Sequence, residues 1–165
     1  MHVFNGIYSG KVNMMALVFQ RYANEPVEIL KVVKMLALHD LGEIDAGDVY
    51  LYAAERDDAE AKEWDAVEGL FGDLPEGLKT EFKTLWAEFA EGRSAEARYA
   101  RALDRFQPFL SNISNEGGSW KTLGISKDQV LAKNKHIADG SDALWKIYQE
   151  VVPEAEKLGF FKAHG

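Results

Sequence analysis

A long apolar segment that runs directly into a cluster of ionisable residues limits the folds open to this chain more than any other feature. Residues 27–38 are largely apolar, and the next ten residues bring one imidazole and four carboxylates. These are His39, Asp40, Glu43, Asp45 and Asp48. Burying unpaired charge costs on the order of several kcal/mol, so this cluster needs a cation. Imidazole nitrogen and carboxylate oxygen are ligands that divalent metals accept. The stretch therefore predicts a metal site, completed by ligands from elsewhere in the chain.

The rest of the chain has the periodicity of amphipathic helices, and we find no convincing strand. Predicted helices cover residues 11–24, 27–38, 53–70, 77–90, 94–110, 126–137 and a final segment from 141. Ser94 and Ser126 are expected N-caps. The segment 27–38 is apolar almost all round, which is typical of a central buried helix. Asp104 lies inside the apolar helix that begins after Ser94. These patterns predict a single all-α domain over residues 1–165.

Composition narrows the classes of partner and compartment. The 165 residues and the 47% hydrophobic share suit one folded domain, and no apolar run reaches the roughly 18 residues of a membrane span. The absence of Cys excludes thiolate chemistry. A net charge of −8 argues against a nucleic-acid polymer or an anionic membrane as partner. The N-terminus lacks the features of a signal peptide, so we expect a cytoplasmic protein.

An ordinary structural role has to be weighed against the metal site. His39 on its own is more often a hydrogen-bonded histidine at a helix C-terminus than a ligand. Asp40, Glu43 and Asp104 change that balance, because each would otherwise need its own charge partner. The chain has four histidines, too few and too scattered for a multi-histidine zinc centre. We expect His136 at the surface or at a pocket rim.

Several motifs resemble one family. The run from His39 to Glu43, the pair Gly47-Asp48 and the segment from Ser94 to Asp104 resemble the HD-domain superfamily, in its 5′-deoxynucleotidase-like branch. The resemblance extends from about Asn13 to the C-terminus. It implies an all-α HD-domain helical bundle that holds a divalent ion of Co, Mn, Zn, Mg or Ni. It also implies hydrolysis of the 5′-phosphate of deoxynucleoside monophosphates, and a homodimer.

The resemblance assigns roles residue by residue. His39, Asp40 and Asp104 match the second, third and fourth metal-ligand positions. Glu43 and Asp48 match acidic residues that orient or deprotonate water and govern the phosphate site. These residue types suit the chemistry, because a metal lowers the pKa of bound water while a carboxylate takes the proton.

The first helix departs from the family pattern. Tyr8 stands where the family has its first metal-ligand histidine, and a neutral phenol is a poor replacement for imidazole. Only seven residues precede Tyr8, where the family has a further helix with a substrate-binding arginine. We therefore expect weak metal binding and weak or lost phosphatase activity. An altered pocket of this kind arises either by natural divergence or by engineering.

Lys11 supplies the alternative to phosphatase chemistry. It follows Tyr8 by three residues and so shares its helical face. In an apolar pocket its amine could form a Schiff base with a carbonyl substrate, with Tyr8 as the proton donor. Lys11 could instead pair with Asp40 or Asp104 in place of the metal, or lie on the surface. A pocket that only binds a small molecule is the remaining form of this alternative.

Overall fold

The computed structural model describes the backbone of residues 2–39 and 69–161, and side chains in these ranges from residue 10 onward. Within these ranges every regular element is a helix, which confirms the all-α prediction. The helices are α1 (His2–Phe19), a 3-10 turn (Gln20–Tyr22), α2 (Ile29–Leu38), α3 (Glu76–Glu91), α4 (Ala95–Ser114), α5 (Gly118–Thr122), α6 (Lys127–Asn134), α7 (Ile137–Gly140) and α8 (Asp142–Lys157). Residues 69–71 are also helical, and the rest of the predicted 53–70 helix lies outside the described residues.

Serine caps fix where several helices begin. The Ser94 hydroxyl accepts the N–H of Ala97 at 3.1 Å, so α4 begins where the sequence predicts. Ser126 and Gln129 form a reciprocal capping box at the start of α6. The helix predicted over residues 126–137 is divided, because α6 ends at Asn134 and α7 begins at Ile137.

The central helix of the core is α4, which packs against α1, α2, α3, α5, α7 and α8. Its side chains Tyr99, Leu103 and Phe106 are almost fully buried. The segment 27–38 was predicted to form a central buried helix, but the structure buries only part of its surface. Helix α2 buries one face, which includes Met35, while Leu30 is 58% exposed.

Helix α7 lies directly against α4, and a glycine makes this approach possible. A Cβ atom added at Gly140 would lie 2.6 Å from the carbonyl carbon of Arg98 and 2.8 Å from the Cα of Tyr99. Asn24, in the loop before α2, also holds α7, since its side-chain amide donates to the carbonyl of Ala138 at 2.7 Å. The segment just before α7 is therefore held close to the next turns of α4.

Among the helices described over residues 2–39 and 69–161, none is long and apolar enough to cross a membrane.

Candidate metal centre

The orientation of His39 is set by the end of α2. Its backbone N–H donates to the carbonyl of Met35 at 2.9 Å, and its Nδ1 lies 2.8 Å from the carbonyl oxygen of Leu36. A carbonyl oxygen only accepts hydrogen bonds, so Nδ1 carries a proton. The ring also contacts that of Phe89, with centroids 4.8 Å apart. In the neutral imidazole, the lone pair is therefore on Nε2, on the side of the ring that faces α4.

Asp104, on α4, meets that nitrogen. Its Oδ1 lies 3.2 Å from His39 Nε2, and the two side chains are only 17% and 7% exposed. A neutral imidazole in this tautomer would direct its lone pair at a carboxylate oxygen, which is repulsive. A cation removes the repulsion, either as a proton on Nε2 or as a metal ion bound by both atoms.

The separation of these two atoms suits a shared metal ion. Ligands about 2.0–2.2 Å from one ion, at octahedral or tetrahedral angles, are about 2.8–3.6 Å apart. The 3.2 Å between His39 Nε2 and Asp104 Oδ1 lies in this range. The Leu36 carbonyl supplies the outer hydrogen bond that usually fixes the tautomer of a ligating histidine. The donor set therefore fits a divalent ion.

The structure brings together two of the predicted ligands from opposite parts of the sequence. Within residues 10–39 and 69–161 it contains no group of three or more potential metal-ligating side chains. The predicted site residues Asp40, Glu43 and Asp48 lie outside the described residues. The backbone of Tyr8 is part of α1, but its side chain lies outside the part of the chain that the structure describes.

Arg105 is a site residue that sequence reasoning missed. Its Nε lies 3.6 Å from Oδ2 of Asp104, the oxygen that does not face His39, and its side chain is 23% exposed. The carboxylate of Asp104 therefore lies between an imidazole and a guanidinium. The one signal in the sequence was the position of Arg105 directly after a candidate ligand.

His136 lies just before α7 and is half-buried rather than on the open surface. Burial lowers the pKa of its imidazole below the ordinary value of 6.5, and the positive charges of Arg105 and Arg101 lower it further. Asp139 and Asp104 act in the opposite direction without reversing the shift. His136 therefore feels the charges of side chains on α4, and its place at a pocket rim stays a prediction.

Arg101 has a different role from Arg105. One of its terminal nitrogens donates to the carbonyl of Ala90 at 2.6 Å, so Arg101 binds the end of α3 to α4. The exposed C-terminal carbonyls of a helix are suited to such a cation.

Lys11 is exposed on α1 and is not enclosed in an apolar pocket. The amine-catalysis alternative therefore gains no support from the described residues. Among the described residues, His39 and Arg105 both lie within ion-pair distance of Asp104. The pairing of Lys11 with Asp40 or Asp104 stays a prediction.

Comparison with known proteins places this arrangement in context. The model of the HD domain family matches residues 11–145. The 5′-deoxynucleotidase HDDC2 of Danio rerio is 26% identical over 152 residues, which cover 80% of this chain and 74% of that protein. The Xenopus laevis protein of the same name is 31% identical over 85 residues, covering 51% of this chain and 42% of its own. The crystal structure of a predicted metal-dependent phosphohydrolase from Magnetospirillum magnetotacticum MS-1 superposes with a TM-score of 0.91 at 37% identity, over 96% of this chain and 80% of that one.

Proposed function

Because the chain belongs to the HD domain family, we propose that it is a divalent-metal-dependent phosphohydrolase that acts on nucleoside 5′-monophosphates. The names of its relatives, two 5′-deoxynucleotidases and a predicted metal-dependent phosphohydrolase, support this reaction class. The observation that carries the proposal is the buried pair of His39 Nε2 and Asp104 Oδ1, 3.2 Å apart, with the tautomer of His39 fixed by Leu36.

His39 and Asp104 would hold the metal ion, with Asp40 as a third ligand. The donors are nitrogen and oxygen without sulfur, a set that suits Co, Mn, Zn, Mg or Ni. When bound, the ion lowers the pKa of water and neutralises phosphate charge.

The protein groups have separate tasks in this proposal. The Leu36 carbonyl keeps the lone pair of His39 on Nε2. Glu43 takes the proton from the attacking water, and Asp48 positions the phosphate. Both of these roles rest on the family resemblance. General-base catalysis by a carboxylate typically contributes about 10²–10⁴-fold to the rate.

Tyr8 is the point at which we expect this chain to differ from its relatives. With a phenol in place of the first ligand, we propose a weaker metal site and a slower phosphatase. The change Tyr8→His should increase both the metal content and the rate of phosphate release. Lys11→Ala should leave phosphate release unchanged, because Lys11 is exposed and has no role in this reaction.

The experiment combines metal analysis with a phosphatase assay. The purified chain is analysed for bound metal, and phosphate release from the four deoxynucleoside monophosphates is followed with added Co²⁺ or Mn²⁺. Asp104→Asn removes a ligand charge, so metal content should fall at least tenfold and phosphate release about 100-fold or more. The exposed Asp128 on α6 provides the matched control, and Asp128→Asn should match wild type.

Two results would refute the proposal. One is an Asp104→Asn variant that keeps the metal content and activity of the wild type. The other is the absence of phosphate release from every monophosphate, in both the wild-type chain and Tyr8→His, with metal bound. The homodimer, the single domain over residues 1–165 and the cytoplasmic location stay predictions.

A further inference from the structure

The guanidinium of Arg105 lies beside the His39–Asp104 pair, and no hydrogen bond joins it to another of the described residues. Arginine has five N–H donors. Within the residues that the structure describes, the nearest charged group is Asp104 Oδ2, 3.6 Å from Nε and beyond hydrogen-bonding distance, and no acceptor is bonded to the terminal nitrogens. The side chain is nevertheless only 23% exposed. A largely covered cation is stabilised when an anion or a hydrogen-bond acceptor meets its donors.

The two preceding arginines on α4, Arg98 and Arg101, both have structural roles. Arg98 donates to the carbonyl of Arg93 and pairs with Glu25. Arg101 donates to the carbonyl of Ala90. Both guanidinium groups bind other segments of the protein to α4. Arg105 does not do so, although it lies one turn beyond Arg101 and on the same face of the helix.

His136 directly precedes α7, which packs against α4, and the positive charge of Arg105 acts on its imidazole. No hydrogen bond to its imidazole is found among the described residues, although the side chain is half-buried. Its position is fixed from outside the site, because Gly140 holds α7 against Arg98 and Tyr99. An imidazole there adds a hydrogen-bonding group to the positive surface made by Arg105.

We propose that Arg105 and His136 form an anion pocket that binds the phosphate group of the substrate against the His39–Asp104 pair. This assignment rests on the proposed phosphohydrolase function and names the residues that bind the phosphoryl group transferred to water. The planar guanidinium matches two phosphate oxygens at once, which a lysine does not do. Because Asp104 Oδ1 faces His39 and Oδ2 faces Arg105, a phosphate on Arg105 lies next to the metal ligands. The pocket therefore distinguishes a nucleoside monophosphate from the free nucleoside.

Binding measurements test the pocket separately from the reaction. Titration calorimetry compares deoxyadenosine monophosphate, inorganic phosphate and deoxyadenosine, once in EDTA and once with Mn²⁺. Arg105→Gln should weaken monophosphate and phosphate binding about 10- to 100-fold in both conditions, and leave deoxyadenosine within about twofold. Arg105→Lys should fall between, because it keeps the charge and loses the two-point contact. His136→Ala should weaken the same two ligands about 3- to 10-fold.

Two controls isolate the effect. Arg93→Gln removes a guanidinium whose side chain is 85% exposed, and should match wild type. Metal content of Arg105→Gln should be at least that of wild type, because removing a positive charge beside Asp104 favours cation binding. If Arg105→Gln loses phosphate binding but keeps its full metal content, the loss does not arise from a disturbed metal site.

The outcomes separate this proposal from the proposed function. Arg105-dependent monophosphate binding in EDTA supports the pocket even if no phosphate is ever released, in which case only the reaction is wrong. Arg105→Gln binding phosphate as tightly as wild type overturns the pocket. The pocket is also overturned if Arg105→Gln weakens the binding of monophosphate and deoxyadenosine equally, which would indicate a structural role for Arg105. It is overturned as well if the wild-type chain binds neither phosphate nor monophosphate.

Discussion

Replacing Gly140 with alanine should destabilise the protein, because the contact between α7 and α4 leaves no room for a side chain. The added Cβ would lie 2.6 Å from the carbonyl carbon of Arg98 and 2.8 Å from the Cα of Tyr99. Both are backbone atoms of a central helix, so no side-chain rotation relieves the overlap. The two helices would have to separate by about 1 Å to restore ordinary contact distances.

The size of the effect follows from what that separation disrupts. Overpacking a core typically costs about 1–3 kcal/mol, and a clash between two backbones belongs at the upper end of this range. The shift also strains the hydrogen bond from the Asn24 backbone N–H to the Gly140 carbonyl, which is 3.1 Å long. We expect a loss of about 3 kcal/mol in the free energy of unfolding, which lowers the melting temperature by about 6–12 °C for a domain of this size.

Urea unfolding followed by circular dichroism measures this loss, and a second glycine provides the control. A Cβ added at Gly10, inside α1, would meet no atom within 4 Å. Gly10→Ala should therefore stabilise the protein by about 0.5–1 kcal/mol, since alanine favours the helix. If Gly140→Ala unfolds within about 0.5 kcal/mol of wild type, the close packing of α7 on α4 is not as described.

Two further predictions concern single contacts. Ser126→Ala breaks the capping box with Gln129 and should lower the free energy of unfolding by about 1 kcal/mol in the same assay. The control Ser114→Ala changes an exposed serine and should alter stability little. Equal effects of the two variants would show that Ser126 does not stabilise the helix as a cap. Folding lowers the pKa of His136. Below about pH 6.5 the unfolded chain therefore binds more protons than the folded chain. The stability contributed by the neutral imidazole is lost as the pH falls through the folded-state pKa. The charged groups that face it are Arg101, Asp104, Arg105 and Asp139. Unfolding curves in EDTA between pH 7.5 and 5 should therefore show wild type losing more stability than His136→Asn, and parallel profiles would contradict this.

Helix existence and capping could be predicted from the sequence, because both depend on neighbouring residues. Ser94 and Ser126 cap the helices at the predicted positions. The pairing of His39 with Asp104 spans 65 residues, and no local pattern connects them. Each looked anomalous alone, as an ionisable group beside apolar residues. Their charges already favoured a shared site, and the family resemblance then assigned both residues as metal ligands.

The features that escaped prediction depend on contacts between distant helices. Leu30 is as apolar as Met35, and only the packing of the other helices leaves one exposed and buries the other. The close approach of α7 to α4 depends on Gly140, which fits against Arg98. Sequence spacing carries no information on how closely two helices approach, so neither result was accessible before the structure.

The two oxygens of Asp104 divide the site into halves with different requirements. Oδ1 faces the lone pair of His39, so that side needs a cation, whether a proton or a metal ion. Oδ2 faces Arg105, which already carries a positive charge and whose terminal nitrogens bind no acceptor among the described residues. A ligand that satisfies both halves must present anionic oxygens to the guanidinium while a cation is held between Asp104 and His39. A phosphate ester with a divalent ion meets both conditions, whereas a neutral carbonyl compound meets neither, and this complementarity favours phosphoryl chemistry over the amine-catalysis alternative.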